Sequence, residues 1–172
     1  MRLKSFADMN CSIAKSIEVI GERWTMLVLR EVFLGTRRFE DFRRRLGIAR
    51  NILADRLDGL VDEGILERRL YQDRPERYEY RLTEKGRDFY HVIMAIKRWG
   101  DRWEAGQEGP PVLTRHVCGA IIDPVPTCPH CGVEVHPREM RWEPGPGATQ
   151  DEIDEYHRRV ALAAERVASR AG

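Results

Sequence analysis

A chain of 172 residues that is 42% hydrophobic is long enough to bury a core and too apolar to remain an unfolded polymer. No run approaches the ~18 apolar residues of a membrane span, and Met1-Arg2-Leu3-Lys4 has no apolar stretch behind it, so a cytoplasmic protein is expected. The formal net charge of +1 conceals an asymmetry: residues 1–100 carry 21 Lys and Arg against 16 Asp and Glu, and residues 101–172 carry 8 against 12.

Ile13, Ile17 and Ile20 recur at helical spacing and predict a short first helix, interrupted by Gly21. Trp24 to Leu34 is almost entirely apolar, with Arg30 and Glu31 as the charged exceptions, and predicts a central buried helix stopped at Gly35. Phe39, Phe42 and Leu46 place a third short helix over 39–46, and Gly47 breaks it. Leu53, Leu57, Leu60 and Val61 mark a fourth helix with Gly64 as its C-terminal cap. Two strand-like runs, Ile65 to Tyr71 and Tyr78 to Leu82, flank the polar turn Gln72-Asp73-Arg74-Pro75-Glu76-Arg77 and predict a β-hairpin. Thr83 is placed to cap a fifth helix in which Phe89, Ile93, Ile96, Trp99 and Trp103 recur every three or four residues.

Gly106, Gly109, Pro110 and Pro111 close a first domain over 1–106. Residues 112–141 are rich in Cys, His and Pro, and Gly145-Pro146-Gly147 is a linker. Thr149-x-x-Glu152 has the form of a capping box and opens a last helix over 149–171, through Val160 and Val167.

The order helix, helix, helix, helix, hairpin, helix, with a tight turn at Gly47-Ile48, is that of a winged helix-turn-helix: a mainly α fold with a small β-hairpin wing (α+β), here extended by a small ribbon-like appendage and a C-terminal helix. Basic density peaks between Arg37 and Arg50, where six arginines, Arg37 and Arg38 included, face only Glu40 and Asp41. Phosphate binding needs such convergent cations. With the leucines of the fourth helix turned inward, Arg50, Asn51, Ala54 and Asp55 face outward near its N-terminus. There Arg pairs with guanine, Asn with adenine, and small Ala permits close approach. Arg74 and Arg77 on the hairpin are placed to reach phosphates or an adjacent minor groove. The expected partner is double-stranded DNA.

In its ordered stretches Cys11-Ser12-Ile13-Ala14, Ile20-Gly21-Glu22-Arg23-Trp24-Thr25, Gly35-Thr36-Arg37-Arg38-Phe39, Leu53-Ala54-Asp55-Arg56-Leu57 and Tyr78-Glu79-Tyr80-Arg81-Leu82-Thr83-Glu84-Lys85-Gly86, closed by Trp99-Gly100, the chain resembles the HxlR family of bacterial transcription regulators over roughly residues 10–105. The resemblance implies a homodimer formed by the first and last helices of the domain. It also implies DNA recognition by the fourth helix and by the wing arginine that matches Arg77. The wing has one proline before that arginine where the family often has two, and residues 112–172 lie outside the family's usual extent.

Cys128-Pro129-His130-Cys131-Gly132 has the form of a zinc knuckle, two thiolates three residues apart clamping one side of a tetrahedral ion. Cys118-Gly119 supplies half of a second pair, but position 115, where its partner belongs, is Arg. His116 is the nearest fourth ligand and His136 another candidate. Two readings stand: a structural zinc held by Cys118, Cys128, Cys131 and His116, or a degenerate ribbon without metal. Nothing in the chain has the form of catalytic machinery: no His-Glu pair at helical spacing, no Gly-rich phosphate loop, no nucleophile motif. No enzyme is therefore expected, and the alternative to a DNA-binding regulator is a protein-interaction adaptor built on the same fold. Cys11 occupies the position that some HxlR-family members use to sense oxidants or electrophiles; a small buried residue at the dimer contact is the plainer expectation. A small-molecule or redox effector is accordingly a candidate partner. Trp24, Trp99 and Trp103 are expected to pack in the core by their spacing rather than to line an effector pocket.

Overall fold

The computed structural model describes residues 5–171; Met1-Arg2-Leu3-Lys4, Gly172, and the side chains of Ala164 and of residues 166–171, Val167 among them, lie outside the described residues. Four helices come first: α1 (Ser12–Ile20), α2 (Arg23–Phe33), α3 (Phe39–Leu46) and α4 (Arg50–Asp62). The antiparallel strands β1 (Leu66–Asp73) and β2 (Glu76–Leu82) follow, then α5 (Glu84–Asp88), α6 (Tyr90–Trp103) and, after a short 3₁₀ turn at Pro137–Glu139, α7 (Gln150–Ala171). This is the expected mainly helical fold with a two-stranded wing. Among the described residues no helix is long and apolar enough to cross a membrane.

The core gathers where the apolar spacings of these elements meet. Val28, Leu29 and Val32 of α2, Phe42 of α3 and Leu53, Leu57 and Leu60 of α4 are buried with Ile65, Leu66 and Tyr80 of the hairpin. Each such side chain contributes about 1.5–3 kcal/mol relative to exposure. Phe42 and Tyr80 meet edge to face at 6.4 Å, which ties the third helix to the wing. Burial raises the Tyr80 phenol above its ordinary value, against the opposing influence of Arg68.

Gly47 ends α3 with φ +63, a left-handed conformation that a side chain resists, and the chain turns there into α4. A different demand is met at Gly86. A Cβ there would lie 2.1 Å from the Ile65 carbonyl oxygen, so α5 approaches the start of β1 too closely for any side chain. Around it Thr83 donates to the Gly64 carbonyl at 2.6 Å and accepts from the Gly86 N–H at 3.1 Å, and Lys85 reaches the Glu63 carbonyl at 2.6 Å. Thr83, Lys85 and Gly86 thus close the junction between α4 and the wing.

The structure corrects the fifth helix. Thr83 caps it as expected, but the helix stops at Asp88 and restarts at Tyr90, with Phe89 between the two parts. The backbone of Phe89 remains near the helical region (φ −63, ψ −12), so the three-to-four spacing continues through the break and conceals it. The strands also run closer to the tip than expected, leaving only Arg74 and Pro75, joined by a cis peptide, as the turn.

Glu31, one of the two charged exceptions in α2, is buried. It accepts from Thr36 Oγ1 at 3.1 Å and Arg30 Nη2 at 2.8 Å, with Arg45 of α3 at 3.6 Å. A buried carboxylate is tolerated only when so partnered, and here the partners hold the loop into α3 against the end of α2.

The chain divides into two compact units, with the boundary between Pro124 and Val125 inside the Cys-rich segment. In the first unit Arg115 bridges Ile121, and Arg98 of α6 pairs with Asp123 at 2.9 Å. In the second, Thr127 bridges Glu134, and Thr149 and Glu152 cap α7 reciprocally, the Thr149 N–H bonding Glu152 Oε2 at 2.7 Å and the Glu152 N–H bonding Thr149 Oγ1 at 3.3 Å.

Candidate nucleic-acid interface

Because Leu53, Leu57 and Leu60 point into the core, α4 turns Arg50, Asn51 and Asp55 to solvent near its N-terminus, with Ala54 half-buried beside them. Ile52 is also exposed there (36%), a residue the sequence reading missed; an apolar residue at a solvated helix start was its one signal, and such a group suits a thymine methyl.

The segment before α3 joins the wing. The Arg37 carbonyl accepts from the Tyr80 N–H at 2.8 Å, and Arg38 forms an antiparallel bridge with Glu79. In β1 the register slips between Leu70 and Gln72, making Tyr71 a bulge residue, and its ring lies under the Arg38 guanidinium, 4.4 Å from centroid to Cζ. The wing tip is steadied by Gln72, whose Nε2 donates to the carbonyls of Arg74 and Pro75 at 3.0 and 3.2 Å. Arg74 and Arg77 are exposed at that tip.

These placements bring Arg38, Arg50 and Arg77 to the walls of one open cleft of about 580 Å³ between α3, the start of α4 and the wing, with Phe39, Tyr71, Tyr78 and Tyr80 as its aromatic lining. Arg37 lines a second depression of about 410 Å³ with Arg38, Arg44 and Arg45. Asn51, Ala54, Asp55 and Arg74 line neither; they stand on the outer faces of α4 and the wing tip. The arginines are not loose charges: Arg43 and Arg50 both pair with Glu40, and Arg44 with Asp41 at 2.5 Å. Such a surface offers cations for phosphates around a helix end furnished to meet base edges, and it defines the class: a winged helix-turn-helix DNA-binding protein.

Comparison with known proteins places the chain within that class. The model of the HxlR-like helix-turn-helix family matches residues 19–108, and the chain belongs to this family. An HTH-type transcriptional regulator of Mycobacterium tuberculosis is 48% identical over 137 residues, covering 79% of this chain and 87% of that protein. Among solved structures, a candidate transcription factor, PA1607, superposes with a TM-score of 0.74 at 30% identity, covering 83% of this chain and all of that one. The redox regulator HypR in its reduced form has a TM-score of 0.50 at 31% identity, covering 54% of this chain and 92% of that one. The chain is a DNA-binding transcription regulator and not an enzyme.

The tryptophans correct one expectation. Trp24 packs against the core, but Trp99 and Trp103 are 59% and 63% exposed. They lie on α6 with exposed Val92 and Ile96, and α1 exposes Ile13 and Ile17. Cys11 is half-buried at the N-cap of α1.

The cysteine turns are each well formed. Cys128 to Cys131 is closed by the Cys128 N–H on the Val133 carbonyl at 2.9 Å and the Gly132 N–H on the Cys128 carbonyl at 2.8 Å. The backbone N–H groups of Cys131 and then His130 bond the Cys128 sulfur and hold its thiol below the ordinary range. The turn His116 to Cys118 is one residue shorter. Its His116 N–H reaches the Ala120 carbonyl at 2.9 Å, and His116 Nδ1 lies 3.2 Å from Cys118 Sγ. Each turn follows directly on a bridge residue, Arg115 or Thr127. Among the described residues no three His, Cys, Asp or Glu side chains form a metal-ligating group.

Proposed function

We propose that the protein acts as a homodimer, joined through α1 and α6, that sets an α4 helix from each copy into successive major grooves of one duplex. The observation that carries the pairing is the apolar stripe of α6, where Trp99 and Trp103 remain more than half exposed on a single chain. Tryptophan left this open to water is costly, and a self-complementary contact about a two-fold axis covers it at both copies at once. The dimer would read two half-sites about one helical turn, roughly 34 Å, or a small multiple apart. Within each half, Arg50, Asn51, Ala54 and Asp55 face base edges, while Arg37, Arg38, Arg74 and Arg77 serve phosphates or the minor groove. Sedimentation at micromolar concentration should give the mass of two chains, and a duplex selected from a random library should contain an inverted repeat. A monomer selecting an unrepeated site would refute the arrangement.

Cys11 belongs to this reading as the point at which an oxidant or electrophile acts. It stands at the N-cap of α1, inside the proposed seam, and the likeness to HypR, a redox regulator, supports that chemistry.

Zinc is proposed for the expected ligand set Cys118, Cys128, Cys131 and His116, with a structural role. The support is local: the N–H groups directed at Cys128 are those a zinc thiolate accepts, and His116 stands beside Cys118 at its own turn. Protein purified without added metal should contain one zinc per chain, and a chelator should lower its melting temperature. Cys128→Ser should lose the metal. Retention by His116→Ala would keep the cysteines and discard that fourth ligand in favour of His136.

A further inference from the structure

Glu40 stands in the first turn of α3 and makes two contacts with one carboxylate. Its Oε1 accepts from Arg50 Nη1 at 3.0 Å, across the helix-turn-helix, and its Oε2 accepts from Arg43 Nη1 at 3.1 Å on its own helix. The Arg50 guanidinium also lies over the Phe39 ring, 5.1 Å from its centroid. Thus the first residue of α4 is held from two sides, although its side chain is 70% exposed. An exposed ion pair adds little to stability, so the consequence of this one lies in orientation and charge.

We propose that Glu40 is a specificity-determining residue: by holding Arg50 and Arg43 it keeps Arg50 directed at base edges and keeps both cations from serving any passing phosphate. The inference rests on the reading of α4 as the base-reading helix. A guanidinium has five N–H donors in a rigid fork; two suffice for guanine O6 and N7, which leaves others for a carboxylate at the same time. A phosphate placed where Glu40 stands would meet a like charge instead. Glu40 therefore opposes binding to arbitrary DNA while leaving the guanine contact intact, and discrimination is the difference between those two affinities.

The test uses the full chain, the duplex it selects from a random library, and a random duplex of the same length, titrated at several salt concentrations. Glu40→Gln should tighten the random duplex about 3–10-fold at roughly 0.1 M salt and steepen its salt slope by about one, because removing one carboxylate leaves one more positive charge uncompensated. The ratio of selected to random affinity should fall about tenfold. Glu40→Asp keeps the charge but withdraws the carboxylate by one methylene; it should tighten the random duplex less than Glu40→Gln does and still lose discrimination. In an Arg50→Ala background, Glu40→Gln should no longer change the ratio. If Glu40→Gln leaves the ratio unchanged, or lowers both affinities by one factor, Glu40 has no such role. If Arg50→Ala itself leaves the ratio unchanged, the reading of α4 falls and the role of Glu40 with it. If Arg50→Ala lowers the ratio and Glu40→Gln does not, only the role of Glu40 falls.

Discussion

Trp99→Asp combined with Trp103→Asp is expected to yield a folded monomer and to weaken binding to the selected duplex by roughly 10²–10⁴-fold, the factor lost when two linked sites are uncoupled. The rings are 59% and 63% exposed on the single chain, so their replacement removes little of the core, and circular dichroism and melting should change slightly. In a dimer the same positions would be buried against a neighbour, and two carboxylates per copy would have to lose their water there. The single changes should weaken self-association in proportion. Sedimentation and titration on one full site and on one half-site read the result together. Variants that remain dimeric and bind as the wild type would remove α6 from the seam.

That face also shows where sequence reasoning succeeds and where it stops. Apolar spacing located α6, yet spacing cannot tell a stripe that meets the core from one that meets a second chain. Trp24 and Trp99 obey the same rule and have opposite fates. The helix-turn-helix was legible because local chemistry dictates it: Gly47 supplies the left-handed turn, and the leucines of α4 fix which residues face outward. The break at Phe89 was not legible, since the backbone there stays near helical values and the period is preserved.

Contacts between distant residues were the larger omission. Glu31 looked like an interruption in an apolar helix; its partners Thr36 and Arg45 come from the following loop and helix, and only the fold brings them to it. Glu40 was counted as one of two acids against six arginines, whereas its position lets a single carboxylate engage Arg43 and Arg50. Tyr71 read as an ordinary strand residue, but a one-residue slip in register turns its ring under Arg38. The run Thr83-Glu84-Lys85-Gly86, by contrast, was recognisable as a pattern before its reason was visible. Three of its residues bond or abut the backbone of residues 63–65, and Gly86 has no room for a Cβ.

Positioning and reading should separate in the last set of variants. Arg77 stands exposed on the wing, lining the cleft shared with Arg38 and Arg50, and its charge should act on phosphate or on the negative potential of the minor groove. Arg77→Ala is therefore expected to weaken selected and random DNA by similar factors and to reduce the salt slope by about one. Arg50 and Asn51 stand at the start of α4, where a helix laid in the major groove meets base edges. Arg50→Ala or Asn51→Ala should cost about 1–3 kcal/mol on the selected duplex and much less on random DNA, because a bidentate base contact exists only on the right sequence. The two classes of variant should consequently move discrimination in different ways: unchanged for Arg77→Ala, reduced about 5- to 150-fold for the α4 variants, the ratio that 1–3 kcal/mol implies. Titrations on both duplexes across salt concentrations decide the matter. Equal losses on both duplexes for Arg50→Ala and Asn51→Ala would mean that α4 contacts backbone alone, and the base-reading surface would then have to be sought on the wing.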